Sequence, residues 1–292
     1  MHNSLPIWRS MLFVPANVPR FIEKAHERGA DAIIIDLEDA VPLPEKASAR
    51  QRLPTSARQV AANGADVVVR INASLQLAAA DLEAAVCADV QAVCVPKVEG
   101  ASQLRWISDN IAELETERGL PPGHTRLVAM IESTAALARC HEIAASTPRL
   151  VAITLGPEDF SASAGMEPTA DSLLFPNQQI VFAARSAGIL PLGFVGSIGQ
   201  YGDLDRFRAT ILRSRDLGLR GGFCVHPDQV RVMNEAFVPS RAQVEEAQAV
   251  VRAYELALRE NRGSAQHGGR MIDAPVVARA RETLARTQRR HR

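Results

Sequence analysis

Charged side chains recur directly after short apolar runs of this sequence, and those junctions hold most of its candidate chemistry. The run Ala30–Asp36 leads into Asp36-Leu37-Glu38-Asp39, the run Ala65–Asn72 ends on Arg70 and Asn72, and QAVCVP is followed by Lys97. Further on, RLVAMI leads into Glu132-Ser133, LVAITL into Gly156-Pro157-Glu158-Asp159, and residues 221–225 into His226-Pro227. Glu132 and Asp159 suit one hard divalent cation. Mg²⁺, or Mn²⁺ in its place, takes one or two carboxylates and fills its other positions with water and substrate oxygens. Such an ion polarises a carbonyl or stabilises an enolate or alkoxide. Either acid alone could instead cap the helix that follows it; the two together, with Arg70 nearby, favour the metal.

Arg70 ends an otherwise apolar run and needs an anionic partner. That partner is structural, Glu38 or Asp39, or a substrate carboxylate held in a bidentate fork, and both can hold at once. Lys97 is one of only three lysines, with Lys24 and Lys46. A lysine in such a place can be a Schiff-base nucleophile. That chemistry has no use for the Glu132/Asp159 pair, so electrostatic or structural service is the main reading. His226 reads as a hydrogen-bonded structural residue before an acid–base group. The turn Gly196-Ser197-Ile198-Gly199 could cradle an anion with backbone N–H groups, or be a tight turn and nothing more.

The apolar runs alternate with segments of helical period. β-branched strands are expected at 10–16, 30–36, 65–72, 91–96, 126–131, 150–155, 189–195 and 221–225. Helices are expected at 18–28, 44–63 with a break near Pro54, 76–88, 101–118, 135–145, 173–187, 204–217 and 228–237. Residues 156–170 read as a loop. Eight strand–helix units in about 240 residues point to a closed (β/α)8 TIM barrel, whose strand C-termini share one mouth. Residues 1–239 are therefore expected to form a catalytic barrel and 240–292 a helical extension, with helices at 240–260 and 274–287 around a Gly-rich hinge at 261–269.

Composition narrows the function classes. The 292 residues hold 33 Lys+Arg and 33 Asp+Glu, so the formal charge is zero. That speaks against nucleic-acid or membrane-surface binding, which would need a basic excess. No apolar run approaches a membrane span, and no signal-peptide pattern opens the sequence. Cys87, Cys94, Cys140 and Cys224 have neither zinc-ligand nor CxxC spacing, which suits a reduced, cytoplasmic protein.

The motifs RSMLFVPA (9–16), DAIIIDLEDAV (31–41), VVVRIN (67–72), VPKVE (95–99), MIES (130–133), LGPEDFSASAGM (155–166), HPDQV (226–230), FVPS (237–240) and GGRMIDAPVVARAR (268–281) run in order over nearly the whole chain. With them the sequence resembles the citrate lyase β-subunit-like family of CoA-ester carbon–carbon lyases, relatives of malyl-CoA, citramalyl-CoA and citryl-CoA lyases. The resemblance implies that Glu132 and Asp159 bind Mg²⁺ and that Arg70 grips the keto-acid half of the substrate. It implies that Asp36, Glu38 and Asp39 orient Arg70 and the metal's water, and that Asp273 of the MID motif is the acid–base residue. Pro157, Glu158 and Lys97 join Arg70 and Glu132 as expected substrate contacts, with Asn72 and His226 behind them; Glu38 and Asp39 join the catalytic set. The resemblance also implies a homo-oligomer, a trimer or a multiple of one, in which the C-terminal extension covers a neighbour's mouth. One departure stands out: many relatives carry an aspartate where this chain has Leu192-Gly193, which points to a different acyl-side pocket.

The expected reaction is a retro-Claisen cleavage of a 3-hydroxyacyl-CoA into a 2-keto acid and an acyl-CoA. The alternatives are a pyruvate-type class II aldolase acting without CoA, a CoA thioester hydrolase with malate-synthase-like condensation followed by thioester cleavage, and a non-catalytic carrier-protein-binding subunit of a lyase complex.

Overall fold

A computed structural model describes residues 5–199 and 202–288. Within Met1–Glu235, one of the two compact units of the chain, eight short parallel strands form a (β/α)8 barrel. They are β1 Ser10–Pro15, β2 Ala32–Asp36, β3 Asp66–Arg70, β4 Ala92–Val95, β5 Arg126–Ile131, β6 Leu150–Leu155, β7 Leu190–Leu192 and β8 Gly222–Cys224. Neighbours in sequence are neighbours in the sheet from β1 to β7, and β8 lies beside β1. The seam between β7 and β8 is bridged by backbone bonds from Gly193 N–H to the Gly221 carbonyl (2.8 Å) and from Arg220 N–H to the Pro191 carbonyl (2.9 Å).

All eight strands send side chains into one interior cluster, including Met11, Ile34, Val68, Cys94, Val128, Ala152, Leu192 and Phe223. Successive strand side chains alternate faces. Two residues on from Ile34, Val68 and Met130 stand Asp36, Arg70 and Glu132. Strand parity alone therefore aims those three polar groups at the mouth above the apolar plug.

Three expectations within the barrel unit are corrected. Residues Pro157–Ala164, expected as loop, are a helix with Pro at its first position and Gly165 beyond its end in the left-handed conformation that glycine tolerates (φ 65°). The helix Lys46–Val60 runs through Pro54 without a break, forgoing one backbone bond there. The segment expected at 135–145 is two short helices, Thr134–Leu137 and Cys140–Ala144.

The second compact unit is Ala236–Arg292. Its helices Arg241–Arg259 and Ala274–Gln288 pack around Ala247, Val250, Ile272, Val277 and Ala280. Ser240 and Gln243 close a reciprocal capping box at the first helix. The expected hinge at 261–269 instead contributes to an antiparallel hairpin, β9 Ala265–His267 and β10 Arg270–Ile272, turning on Gly268-Gly269. Among the described residues, no helix is long and apolar enough to cross a membrane.

Candidate functional site

The mouth of the barrel opens into a cavity of about 480 Å³ lined by Asp36, Asp39, Arg70, Glu132, Glu158 and Asp159. Phe13, Phe194, Ile198 and Phe223 line it elsewhere. Asp36 and Arg70 are register partners on β2 and β3. Asp36 accepts two parallel bonds from the guanidinium, from Nε and from Nη2, each 2.7 Å. Asp36 is buried and Arg70 nearly so, which makes this a charge-assisted fork held out of water. The Phe13 ring lies under the guanidinium, 4.8 Å from ring centre to Cζ. Burial would lower the Arg70 pKa, but its bonds to Asp36 and the charges of Asp36 and Glu38 more than reverse it, so Arg70 is a fixed cation.

Glu38 lies between two cations. Its Oε1 accepts from Lys97 Nζ at 2.8 Å, and its Oε2 stands 3.0 Å from Arg70 Nη1. The second contact is an ion pair and not a hydrogen bond, since Oε2 has no hydrogen-bond partner. Burial pushes the Glu38 carboxyl up, and Arg70 and Lys97 pull it back. Burial lowers Lys97, but its bond to Glu38 overrides that and keeps it charged. Asp39, which is exposed, lies 3.5 Å from Lys97 and 4.0 Å from Arg70.

Glu132 follows β5 and is buried, 5% exposed. Its Oε2 has no partner. Its carboxyl is pushed up to about 8, first by burial and then by the charges of Glu38 and Asp159. The chain makes room for it at Gly156, where a Cβ would lie 2.5 Å from Glu132 Cγ and 2.9 Å from Oε1. Asp159 projects from the first turn of the helix Pro157–Ala164 and is exposed. A buried carboxylate with an orphaned oxygen, crowded by other acids whose charge outweighs that of Lys97 and Arg70, fits a divalent metal ion that would supply the missing charge. Glu132 and Asp159 are the residues that would hold it, a donor count that suits Mg²⁺.

The other expected site residues are dispersed. Lys97, Glu38, Asn72 and His226 do not line the cavity. Asn72 is buried; its amide donates to the Leu37 carbonyl (3.0 Å) and to Asp81 Oδ2 (2.6 Å). The His226 ring nitrogen Nδ1 accepts from Asp228 N–H (3.3 Å) at the start of the helix Pro227–Ala236. Glu158 accepts from Ser197 Oγ, which ties the GSIG turn to the end of β6. Pro157 starts the helix that carries Asp159. Asp273 lies in the C-terminal unit, where its carboxylate accepts from Val276 N–H (3.3 Å) as the cap of the last helix. Gly193 lines the cavity with φ 124°, a conformation that disfavours any side chain with a Cβ.

Two supporting residues carry no mark in the sequence reading. The Lys46 ammonium is buried and donates to the carbonyls of Leu37 and Glu38, 2.7 Å each, fixing the acidic loop. Asp81 is fully buried and accepts from Asn72 N–H (2.7 Å), the Asn72 amide and Arg50 Nε (2.6 Å). Lysine scarcity was a signal for Lys46; Asp81 sits on an apolar helix face, where a lone acid looks solvated.

Residues 9–227 match the family described as HpcH/HpaI aldolase/citrate lyase. The citrate lyase subunit beta of Escherichia coli K12 is 35% identical over 286 residues, covering 96% of this chain and 93% of its own. The L-malyl-CoA/beta-methylmalyl-CoA lyase of Rhodobacter capsulatus is 32% identical over 300 residues, covering 93% of this chain and 92% of its own. Among solved structures, protein CitE from Mycobacterium tuberculosis in complex with magnesium, acetoacetate and coenzyme A superposes with a TM-score of 0.76 at 27% identity, covering 98% of this chain and 99% of that one.

Proposed function

The chain belongs to the HpcH/HpaI aldolase/citrate lyase family, and from that membership we propose that it cleaves a carbon–carbon bond of a 3-hydroxyacyl-CoA thioester of the citramalyl-, malyl- or citryl-CoA type. The products are a 2-oxo acid and an acyl-CoA such as acetyl-CoA. The observation that carries the reading is the Glu132 carboxylate, buried with one oxygen unpartnered, beside Asp159 and facing the cavity that Arg70 lines. Magnesium and CoA, which accompany the M. tuberculosis structure, are carried over as part of it.

Glu132 and Asp159 hold the magnesium ion, which when bound supplies Lewis-acid stabilisation of negative charge on substrate oxygens. Arg70, fixed by Asp36, presents its remaining guanidinium edge to the carboxylate beside the substrate hydroxyl. Glu38, Asp39 and Lys97 set the field around that edge; Pro157 and Glu158 shape the wall. The hydroxyl proton passes to the Asp273 carboxylate of a neighbouring subunit as the carbon–carbon bond breaks, and the bonding electrons remain with the acyl-CoA as its enolate. Asp273 of a neighbouring subunit returns a proton to that carbon. This assigns the C-terminal unit as a lid in a homo-oligomer, a trimer or a multiple of one.

The test is cleavage of the three esters by the wild type in Mg²⁺, in EDTA, and by Glu132→Ala and Asp159→Ala. Each loss should lower the rate by about 100-fold or more, since charge stabilisation worth several kcal/mol is withdrawn. Full activity in EDTA and in both variants would contradict the reading.

A further inference from the structure

The cavity lining divides by strand. Its carboxylates and Arg70 come from β2, β3, β5 and β6 or the residues directly after them. The three strands that close the barrel, β7, β8 and β1, contribute Phe194 and Ile198, Phe223 and Val225, and Phe13. The rings are braced. Phe13 meets Phe223 edge-on with 5.2 Å between ring centres, and Phe194 meets Phe207 in the same way at 5.4 Å. Backbone donors along this arc are already committed. Gly193 N–H donates to the Gly221 carbonyl (2.8 Å), Gly196 N–H to the Phe194 carbonyl (3.0 Å) and Val225 N–H to Gln229 Oε1 (2.9 Å). Gly199 N–H donates to Ser197 Oγ (3.2 Å), so the two glycine amides of the GSIG turn are not left for an anion. Arg70 is the one cation among the described residues that line the cavity, and carboxylates of Asp36, Glu38 and Asp39 all stand within 4.0 Å of it.

We infer that this apolar arc sets the substrate's specificity: the carbon that bears the hydroxyl may carry a hydrogen or a small alkyl group, but not a second carboxylate. The 2-oxo acid released is then a monocarboxylate of the pyruvate type, and citryl-CoA is a poor substrate. This deepens the proposed function and rests on it. In that reading the hydroxyl and the carboxylate beside it turn to the metal and Arg70, and the thioester arm leaves through the mouth. The fourth substituent is left to β7, β8 and β1. A methyl group there gains apolar contact. A carboxylate there gives up water and finds neither a cation nor an uncommitted glycine amide in return. It also meets like charge across the cavity, because five of the lining side chains are carboxylates and one is a cation. A bound Mg²⁺ still leaves that lining net negative.

The experiment compares kcat/KM for citramalyl-, malyl- and citryl-CoA in Mg²⁺. Citryl-CoA should fall about 100-fold below the better of the other two. Calorimetric titration then separates charge from bulk. Oxaloacetate and 4-methyl-2-oxopentanoate carry side chains of similar size, one charged and one apolar, and the apolar acid should bind about tenfold more tightly or better. Val225 is 42% exposed at the end of β8, so a long cation fits there at little cost to folding. Val225→Arg should raise the ratio of citryl-CoA to citramalyl-CoA cleavage about tenfold, with Val225→Lys as the second variant. The inference is overturned if citryl-CoA is cleaved within about threefold of the best substrate, if oxaloacetate binds as tightly as 4-methyl-2-oxopentanoate, or if neither variant moves the ratio. Should citryl-CoA be cleaved best, the proposed function stands and this inference alone falls. Should none of the three esters be cleaved, the proposed function falls and takes this inference with it.

Discussion

Replacing Glu132 with Gln should stabilise the metal-free protein, and by an amount that depends on pH. The Glu132 carboxyl is pushed from an ordinary 4.5 up to about 8 in the folded chain. Between those values the folded protein holds a proton that the unfolded chain has released. The unfolded state then binds fewer protons, so stability falls as pH rises through this window and levels off above it. At pH 7 the interval above 4.5 is 2.5, and at about 1.4 kcal/mol per pH unit the penalty is about 3 kcal/mol. Glutamine carries no such penalty. For a unit of this size, roughly 2–4 °C accompany each kcal/mol, so the variant should melt roughly 6–12 °C above the wild type at pH 7 in EDTA. The difference should shrink towards zero near pH 5. Mg²⁺ should close it from the other side, because a cation replaces the proton on the wild type and finds less to hold in the variant. The assay is thermal unfolding of both proteins at pH 5, 7 and 8, with EDTA and with Mg²⁺. A glutamine variant no more stable than the wild type at pH 8 in EDTA, or a difference that ignores pH, would refute the reasoning.

Three further outcomes follow from the same contacts. Gly156→Ala places a Cβ 2.5 Å from Glu132 Cγ, so the buried Glu132 side chain must shift: the melting point in EDTA should fall and thermal protection by Mg²⁺ should drop sharply; unchanged protection would remove Gly156 from the account. Arg70→Lys cannot keep both bonds to Asp36 and still offer a fork, so pyruvate affinity measured by calorimetry should fall about 100-fold. Asp81→Ala strands the buried amide of Asn72 and the Arg50 guanidinium, and denaturant unfolding should show a loss of about 3–5 kcal/mol.

The barrel was legible because its strands are short, β-branched and regularly spaced, and because parity from Ile34, Val68 and Met130 aims Asp36, Arg70 and Glu132 at one mouth. What stayed hidden depends on neighbours far along the chain. Nothing local to Glu38 says that Lys97, 59 residues on, pairs with it, nor that Lys46 is spent on two backbone carbonyls. The helix Pro157–Ala164 was a different kind of miss. Pro at its first position and Gly165 just past its end are ordinary boundary signals, but Gly-Pro-Glu-Asp reads first as a turn. The hairpin at 265–272 was likewise written in its Gly268-Gly269 turn, a two-residue loop in which both residues take positive φ. Asp273 has its cap in the C-terminal unit plainly visible, whereas its catalytic role rests on resemblance and stands as a proposal.

The most direct measurement of the central claim is product analysis after incubating the protein and Mg²⁺ with citramalyl-, malyl- and citryl-CoA and with the corresponding free hydroxy acids. The account predicts that at least one thioester yields a 2-oxo acid and a shorter acyl-CoA with its thioester intact, and that EDTA stops the reaction. Release of free CoA with an intact hydroxy acid, or equal cleavage of the free acid without CoA, would contradict it.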